Sequence, residues 1–252
     1  MHYERRSRRD SISPLVPILL ASGAMGLLAV LWRQRAAPRS RARFASGVSP
    51  ALIVAAAPRT LGTDLQTVHC GTGCIFHRRY DVELAGTSRG AADVMRLMQR
   101  HLADLVPSML AHFEKTAGSD SVLRVGDEYE ISMLGPWNGM VRVSESTPEA
   151  FTLVTLDGHP EAGHITFSVT ETADACIGVR IESWARARDS LVAAVYGTLG
   201  VGKQVQTEAW VTFLQRLSAL AGVDGTPKVQ IADEELHVDQ ATESERPRTP
   251  NV

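Results

Sequence analysis

The fold is decided by residues 205–221, which read VQTEAWVTFLQRLSALA. Apolar residues recur there every three or four positions, at Val205, Ala209, Trp210, Phe213, Leu214, Leu217, Leu220 and Ala221. This spacing lines one face of an α-helix. We therefore predict one long amphipathic helix over Asp189–Leu220, followed by Gly222 in the position that favours a left-handed residue. Such a helix needs an apolar surface to cover.

The residues before this helix supply that surface, because their pattern changes from a period of 3.6 to a period of 2. Apolar and polar residues alternate in five runs, near 129–133, 141–143, 151–155, 165–169 and 177–181. Turn-forming pairs separate the runs, among them Thr147-Pro148 and Asp157-Gly158. Connections this short force antiparallel neighbours, so the sequence predicts an antiparallel meander with one apolar face.

The segment upstream of the meander predicts one more strand and two helices. Phe76–Leu84 has the character of a strand, and helical spacing follows from Val94 to Phe113. Pro107 interrupts this spacing, so we expect two helices near 89–105 and 107–116. The predicted fold class is therefore α+β: an antiparallel sheet wrapped around a long C-terminal helix, with two short helices after the first strand.

The N-terminal part of the chain has the features of a membrane anchor. Residues 1–13 are polar and rich in Arg, and residues 14–32 read PLVPILLASGAMGLLAVLW without a charge. A helix of this length spans about 28 Å, close to the hydrocarbon core of a bilayer. We expect a single-pass membrane protein, with a cleaved signal peptide as the alternative. The arginines on the two sides nearly balance; they give a slight preference for a cytoplasmic domain.

Charge and composition define the remaining segments. Residues 1–59 hold ten Arg and two acids, whereas residues 60–252 hold 16 Lys or Arg and 26 Asp or Glu, a net charge of −10. An acidic domain is a poor partner for nucleic acid. We expect a linker at residues 33–63, the main domain at residues 64–222 and a disordered acidic tail at residues 223–252.

The most metal-like stretch is HCGTGCIFH at residues 69–77. It holds His69, Cys70, Cys74 and His77, the ligand types that zinc prefers. Structural zinc sites draw ligand pairs from separate segments, so we favour a glycine-containing turn that enters a strand and expect no metal. One disulfide among the three cysteines stays open.

Several sequence blocks resemble an uncharacterised family of bacterial and plant domains of unknown function, which is related to the START-like helix-grip superfamily. The blocks are GPWNG at 135–139 with VRV at 141–143, TLDGHPEAG at 155–163, IESWAR at 181–186 and KQVQ at 203–206. The resemblance covers roughly residues 67–222. It implies a cavity between the sheet and the terminal helix that holds a small hydrophobic or amphipathic ligand, such as a lipid.

The candidate ligand-binding residues are the side chains that this fold would turn towards the cavity: Tyr129, Trp137, Phe151, Phe167, Arg186 and Trp210. A core role for Tyr129 and Trp137 is the favoured alternative. Arg186 shares strand parity with Glu182, so it either holds an anionic headgroup or forms a surface ion pair.

Catalytic signals in the sequence are weak. His159 and Glu161 form a candidate acid/base pair at the mouth of the cavity, although a structural hairpin turn is favoured for this stretch. Residues 197–203 fit GxxxxGK, but Gln204 stands where a phosphate-binding loop needs Ser or Thr, so no cofactor is expected. The functions left open are ligand binding, a cyclase- or hydrolase-type enzyme, and an interaction module that uses the acidic tail.

Overall fold

The computed structural model describes residues 38–42, 62–118, 123–133, 138–172, 176–193 and 201–237, with the side chains of 201–203 excepted. Within these ranges one sheet of nine strands dominates. The strands are β1 Arg39–Arg41, β2 Thr72–Leu84, β3 Ala111–Ala117, β4 Glu128–Met133, β5 Asn138–Ser146, β6 Ala150–Thr155, β7 Glu161–Glu171, β8 Ile177–Ala187 and β9 Val229–Leu236. Their order in the sheet is β1-β9-β2-β8-β7-β6-β5-β4-β3.

The predicted antiparallel meander is confirmed. Strands β3 to β8 pair with their neighbours in sequence, always antiparallel, and β8 then pairs antiparallel with β2. The α+β fold class is therefore confirmed as well. Short turns set this order, and at one of them Gly158 takes a φ of 92°, which a residue without a β-carbon adopts freely.

The helices lie at both ends of the meander. A short 3-10 helix covers Val68–Cys70, helix α1 covers Ala91–Arg100, helix α2 covers Leu102–Leu105 and helix α3 covers Val201–Leu220. Residues 190–193 are also helical. The single helix predicted over Asp189–Leu220 is thus observed in two parts, and residues 194–200 lie outside the described ranges.

The predicted helix over residues 107–116 is wrong, because strand β3 occupies most of this segment. The backbone of Ala111 closes a turn onto the carbonyl of Pro107, and Phe113 then pairs with Ile131 of β4. The apolar spacing was misleading because Met109, which continued the helical stripe, is 55% exposed. Pairing with β4 satisfies the backbone groups that a helix would otherwise have to satisfy.

Helix α3 covers the apolar side of the sheet, as its periodicity predicts. Phe213, Leu214 and Leu217 are fully buried, and they share one core cluster with residues of β2, β6, β7 and β8. The helix ends as predicted, with Gly222 at a φ of 82°. The Val223 N–H donates to the Ser218 carbonyl at 3.0 Å, a bond of the Schellman type that satisfies the last turn.

The disordered tail predicted over residues 223–252 requires correction, because β9 lies inside it. Strand β9 pairs antiparallel with β2, so that Ile231 faces Tyr80 across the ladder. Val229 is fully buried and Ile231 is 7% exposed. The acidic composition suggested disorder, but three buried apolar residues, of which Ala232 is the third, and a free edge of β2 are enough to hold this segment in the sheet.

The linker predicted over residues 33–63 also contains structure. Strand β1 pairs parallel with β9, and the Ala42 N–H donates to the Ile231 carbonyl at 2.7 Å. Arg39 adds a two-point contact with the carboxylate of Glu208 on α3, at 2.6 and 3.1 Å. Glu208 is 5% exposed, so this ion pair is largely removed from water. Strand β1, which precedes the predicted domain, therefore connects β9 near the edge of the sheet with helix α3.

The assignment to a membrane is corrected. In the part of the chain that the structure describes, no helix has the length and apolar character needed to cross a bilayer. The segment predicted to span, residues 14–32, lies outside the described ranges.

The role of β9 can be tested with two shortened chains, one ending at residue 224 and one ending at residue 237. Losing β9 removes the burial of three apolar side chains and leaves the backbone edge of β2 unpaired. We expect the shorter chain to melt about 10 °C or more below the longer one, measured by circular dichroism. Equal melting temperatures would show that β9 contributes nothing to the fold.

Candidate ligand-binding site

The sheet has two sides with different chemistry, and α3 covers one of them. This helix-facing side is defined by side chains that share the core cluster with the helix, among them Tyr80, Phe151, Phe167 and Ile181. Directly paired residues of an antiparallel sheet share a side. Pairing of Arg78 with Ser183, and of Ser183 with Ile165, therefore places these residues on the helix-facing side too.

Three of the predicted ligand residues meet in an aromatic cluster beneath α3. The rings of Phe151 and Phe167 stack with centroids 4.5 Å apart, and Trp210 meets Phe167 edge-on at 5.5 Å. Phe213 completes the cluster, 5.5 Å from Phe167. All four are at most 7% exposed. Phe151 and Phe167 therefore pack in the hydrophobic core. Trp210 is the member of the aromatic cluster that lies next to polar groups.

Those polar groups form what we call the polar end, comprising Arg78, Tyr80, Glu161, Gln206, Thr207 and Asp233. The Tyr80 hydroxyl lies 3.4 Å from the Thr207 hydroxyl and links β2 to α3. Gln206 donates from Nε2 to the Glu161 carboxylate at 3.2 Å, which links α3 to β7. Trp210 follows Thr207 by three residues and Gln206 by four, so the three share one side of the helix.

Two buried polar atoms at the polar end have no hydrogen-bond partner among the described residues. They are the indole Nε1 of Trp210 and the amide Oε1 of Gln206. Buried polar groups are satisfied in the great majority of cases, and each exception calls for an explanation. A donor and an acceptor left open on successive turns of one helix mark a place where a bound molecule can complete the bonding.

The guanidinium of Arg78 is the third unusual feature of the polar end. Arg78 is 7% exposed and sits above the Phe76 ring, with Cζ 5.2 Å from the ring centroid. Its neighbours across the ladder are Ser183 and Asp233. Among the ion pairs of the described residues, none involves Arg78. A cation is thus held on the covered side of the sheet without a bonded carboxylate.

Tyr80 is the titratable group at the centre of the polar end. Burial raises the pKa of its phenol, the positive charge of Arg78 works against this rise, and Asp233 and Glu161 add to it. The phenol therefore stays protonated at neutral pH and can donate its proton in a hydrogen bond.

Of the predicted catalytic pair, His159 lies in the turn before β7 and Glu161 is the first residue of β7. His159 is 5% exposed, and its Nδ1 lies 3.0 Å from the Glu161 N–H and 2.9 Å from the Glu161 carbonyl. The imidazole therefore contacts the backbone of Glu161, whose carboxylate is bonded to Gln206. The amide of Gln66 donates to the carbonyls of His159 and Glu161 at 2.7 and 2.8 Å. These hydrogen bonds stabilise the hairpin turn that leads into β7.

Arg186 lies on the opposite side of the sheet, which we call the outer side. It is five residues from Ile181 in a strand of regular register, so the two side chains point in opposite directions. Arg186 is 6% exposed and donates from Nε to the Val68 carbonyl. It therefore fastens the 3-10 helix and does not reach the aromatic cluster.

His77 is the centre of the outer side. Its ring stacks on Trp184 with centroids 3.3 Å apart, and its nitrogens contact Glu182 at 2.7 Å and Glu234 at 2.9 Å. The hydrogen bond with His77 holds the pKa of the Glu182 carboxyl below its usual value. His77 thereby ties β9 and β8 to β2, at right angles to the strands.

The four residues of the metal-like stretch do not converge. Cys74 lies 3.3 Å from His237, Cys70 lies near Thr67 and Leu65, and His77 is held by its two glutamates. No disulfide joins the three cysteines, all of which lie in the described ranges. In the described ranges, no three His, Cys, Asp or Glu side chains are grouped as a metal ion would need.

One predicted ligand residue, Tyr129, lies away from the aromatic cluster, and another, Trp137, cannot be placed. Tyr129 is 6% exposed near the far edge of the sheet, where Lys115 lies 5.5 Å from its ring centroid. Trp137 lies outside the described residues. The residues that sequence reasoning missed are Arg78, Tyr80, Gln206 and Thr207. Arg78 carried a signal, because it interrupts the apolar parity of Phe76, Tyr80 and Val82 in β2.

The structural role of His159 can be tested by substitution. We expect His159→Ala to lower the free energy of unfolding by about 2–3 kcal/mol, because it removes a buried ring and a bond to the hairpin backbone. Urea unfolding would measure this, with Glu161→Gln as the control that leaves the backbone contacts in place. A His159→Ala protein as stable as the wild type would remove the structural explanation.

Burial of His164 predicts a pH dependence of stability. Desolvation lowers its pKa from 6.5 to about 4, against a small opposing effect of Glu182. Between these values the unfolded chain binds a proton that the folded chain does not, so stability is complete above pH 6.5 and falls as the pH drops towards 4. Burial also lowers the pKa of His159, which adds to the loss in the same direction.

We expect His164 to account for up to roughly 3 kcal/mol of this acid-induced loss. The measurement is the change in unfolding free energy between pH 7.5 and 4.5 for wild type and His164→Gln. His112→Gln is the control, since His112 is exposed. The same pH dependence in His164→Gln and wild type would contradict the assignment.

Comparison with known proteins gives one family and several distant structures. Residues 106–216 match the model of a domain of unknown function, DUF1990. A search of curated proteins finds no significant match. Among solved structures, a conserved protein from Geobacillus kaustophilus has 16% identity and a TM-score of 0.41, over 64% of this chain and 99% of its own.

Two further structures are of proteins whose names state a function. Norcoclaurine synthase from Thalictrum flavum, in complex with dopamine and hydroxybenzaldehyde, has 14% identity and a TM-score of 0.42, over 74% of this chain and 99% of its own. The di-domain ARO/CYC StfQ from the steffimycin biosynthetic pathway has 11% identity and a TM-score of 0.44, over 59% of this chain and 51% of its own. Likeness at this level carries no inference about ligand or activity. The resemblance to an uncharacterised family is nevertheless confirmed, since residues 106–216 match the model of the domain of unknown function DUF1990.

Proposed function

We propose that this domain is a helix-grip module of the START-like kind, which binds a small apolar or amphipathic molecule at the polar end, beneath the first half of α3. The observation that carries the proposal is the pair of unpartnered buried atoms, Trp210 Nε1 and Gln206 Oε1. Leaving a buried donor or acceptor unsatisfied costs about 1–3 kcal/mol for each group. A molecule that accepts from the indole and donates to the amide removes both costs.

The surroundings of these atoms suit an amphipathic molecule. The aromatic cluster offers the face of Trp210 and the edge of Phe167 for apolar contact. Tyr80 and Thr207 offer hydroxyl groups whose mutual contact, at 3.4 Å, is long for an O–H···O bond. Ligand sites of this type combine apolar walls with a few polar groups that fix orientation.

The same geometry favours binding over the cyclase- or hydrolase-type alternative. General acid/base catalysis needs a side chain that can exchange its proton near neutral pH. The imidazole of His159 is engaged with the Glu161 backbone, and burial lowers its pKa. Burial raises the pKa of Tyr80, which makes it a hydrogen-bond donor to a bound molecule.

The experiment uses the full chain and two tryptophan variants. Native mass spectrometry of purified wild type should show an added small mass that is lost on denaturation. Trp210→Phe keeps an aromatic ring but removes the indole N–H, so we expect at least a fivefold lower fraction of loaded protein. Trp184→Phe, on the outer side, is the matched control and should load like wild type.

The result that contradicts the proposal is equally concrete. If wild type carries no bound molecule and gains none from an organic extract of the cells that produced it, the polar end is not a binding site. Equal loading of Trp210→Phe and wild type would show that the unpartnered indole does not contact the ligand.

A further inference from the structure

We infer that the molecule bound at the polar end carries a carboxylate, and that the guanidinium of Arg78 receives it. This inference rests on the proposed function and adds the chemical class of the ligand. Arg78 lies on the helix-facing side of β2, two residues before Tyr80, and only 7% of it is exposed. The hydroxyl of Tyr80 reaches Thr207, one helical turn before the unpartnered indole of Trp210.

Arg78 carries a positive charge on the covered side of the sheet and has no ion pair among the described residues. A buried charge is stable in a protein when it is paired and hydrogen-bonded. Two other arginines of the sheet are paired in this way: Arg142 bonds Asp64 and Glu128, and Arg180 bonds Asp81. Arg186, which is also buried, donates to the Val68 carbonyl. Arg78 has an aromatic contact with Phe76 in place of a carboxylate. No nitrogen of Arg78 is among the fully buried unpartnered atoms of the described residues, so its guanidinium is accessible to another molecule.

Asp233 and Glu161 are the two carboxylates of the polar end. Asp233 faces it across the ladder but is exposed and forms no ion pair with it within 4.0 Å. Glu161 accepts a bond from Gln206. The acids at the polar end are thus solvated or engaged, whereas the buried groups are mainly donors. Arg78, Tyr80 and Trp210 together provide a guanidinium, a phenol O–H and an indole N–H.

The donor groups of the polar end suit a carboxylate. A guanidinium binds a carboxylate through two parallel N–H···O bonds, and such charge-assisted bonds are about twice as strong as neutral ones. The aromatic cluster next to the donors suits an apolar body. A molecule with one carboxylate and an apolar chain or ring therefore satisfies the cation and the indole, and a hydroxyl group on the same molecule would donate to the Gln206 amide oxygen.

The test compares acids with uncharged analogues of the same shape. Isothermal titration calorimetry at pH 7.5 would measure decanoate against decanol, and naphthoate against naphthylmethanol, on the full chain. We expect wild type to bind at least one acid tenfold or more tightly than its alcohol. Arg78→Met should remove this preference and leave the alcohol within twofold of its wild-type affinity.

Two further variants separate charge from shape. Arg78→Lys keeps the charge but loses the two-point geometry, so it should retain part of the preference, and it serves if Arg78→Met fails to fold. Asp233→Asn removes the carboxylate opposite Arg78 and should strengthen acid binding about two- to fivefold while leaving the alcohol unchanged.

The outcomes distinguish this inference from the function on which it rests. If acids and alcohols bind wild type equally, or Arg78→Met weakens both equally, the carboxylate inference is wrong and the binding site stands. If neither member of either pair binds, and the purified protein carries no molecule, the proposed function fails with it.

Discussion

The packing of α3 on one side of the antiparallel sheet is the contact on which the rest of the structure depends. Phe213, Leu214 and Leu217 are fully buried in it. Burial of a large apolar side chain stabilises by about 1.5–3 kcal/mol, so this helix supplies a large share of the core. The same helix also positions the polar end, because Gln206 and Trp210 lie about two turns and one turn, respectively, before the buried Leu214.

The two ends of the helix–sheet interface follow different rules. Around Phe213 the interior is apolar and filled, as expected of a core that serves stability alone. Around Trp210 it contains a cation and two polar atoms without partners among the described residues. Buried polar groups without partners are found preferentially at functional sites. The ion pair of Arg39 with Glu208 and the packing of β9 on β2 hold this unfavourable region in place.

The sequence was informative where a pattern is local and weak where pairing is distant. Helix α3 and the meander follow from residue spacing, and both are observed. Strands β1 and β3 are the edge strands of the sheet, and β9 lies beside β1. In such segments the pairing partners decide the conformation, so the spacing of apolar residues predicts the secondary structure poorly. The side of the sheet on which Arg186 lies could not be predicted, because strand parity alone does not say which side the helix covers. Arg78 could have been found, since it interrupts an apolar parity that the helix covers.

The most direct test of the account follows the indole N–H of Trp210 by nuclear magnetic resonance. Trp184, on the outer side of the sheet, provides an internal reference, and the two signals are assigned with Trp210→Phe and Trp184→Phe. On addition of the acid that binds in calorimetry, the account predicts a downfield shift of the Trp210 indole proton and an unchanged Trp184 signal. An unmoved Trp210 signal at saturating acid would contradict the claim that the ligand completes the bonding of this buried group.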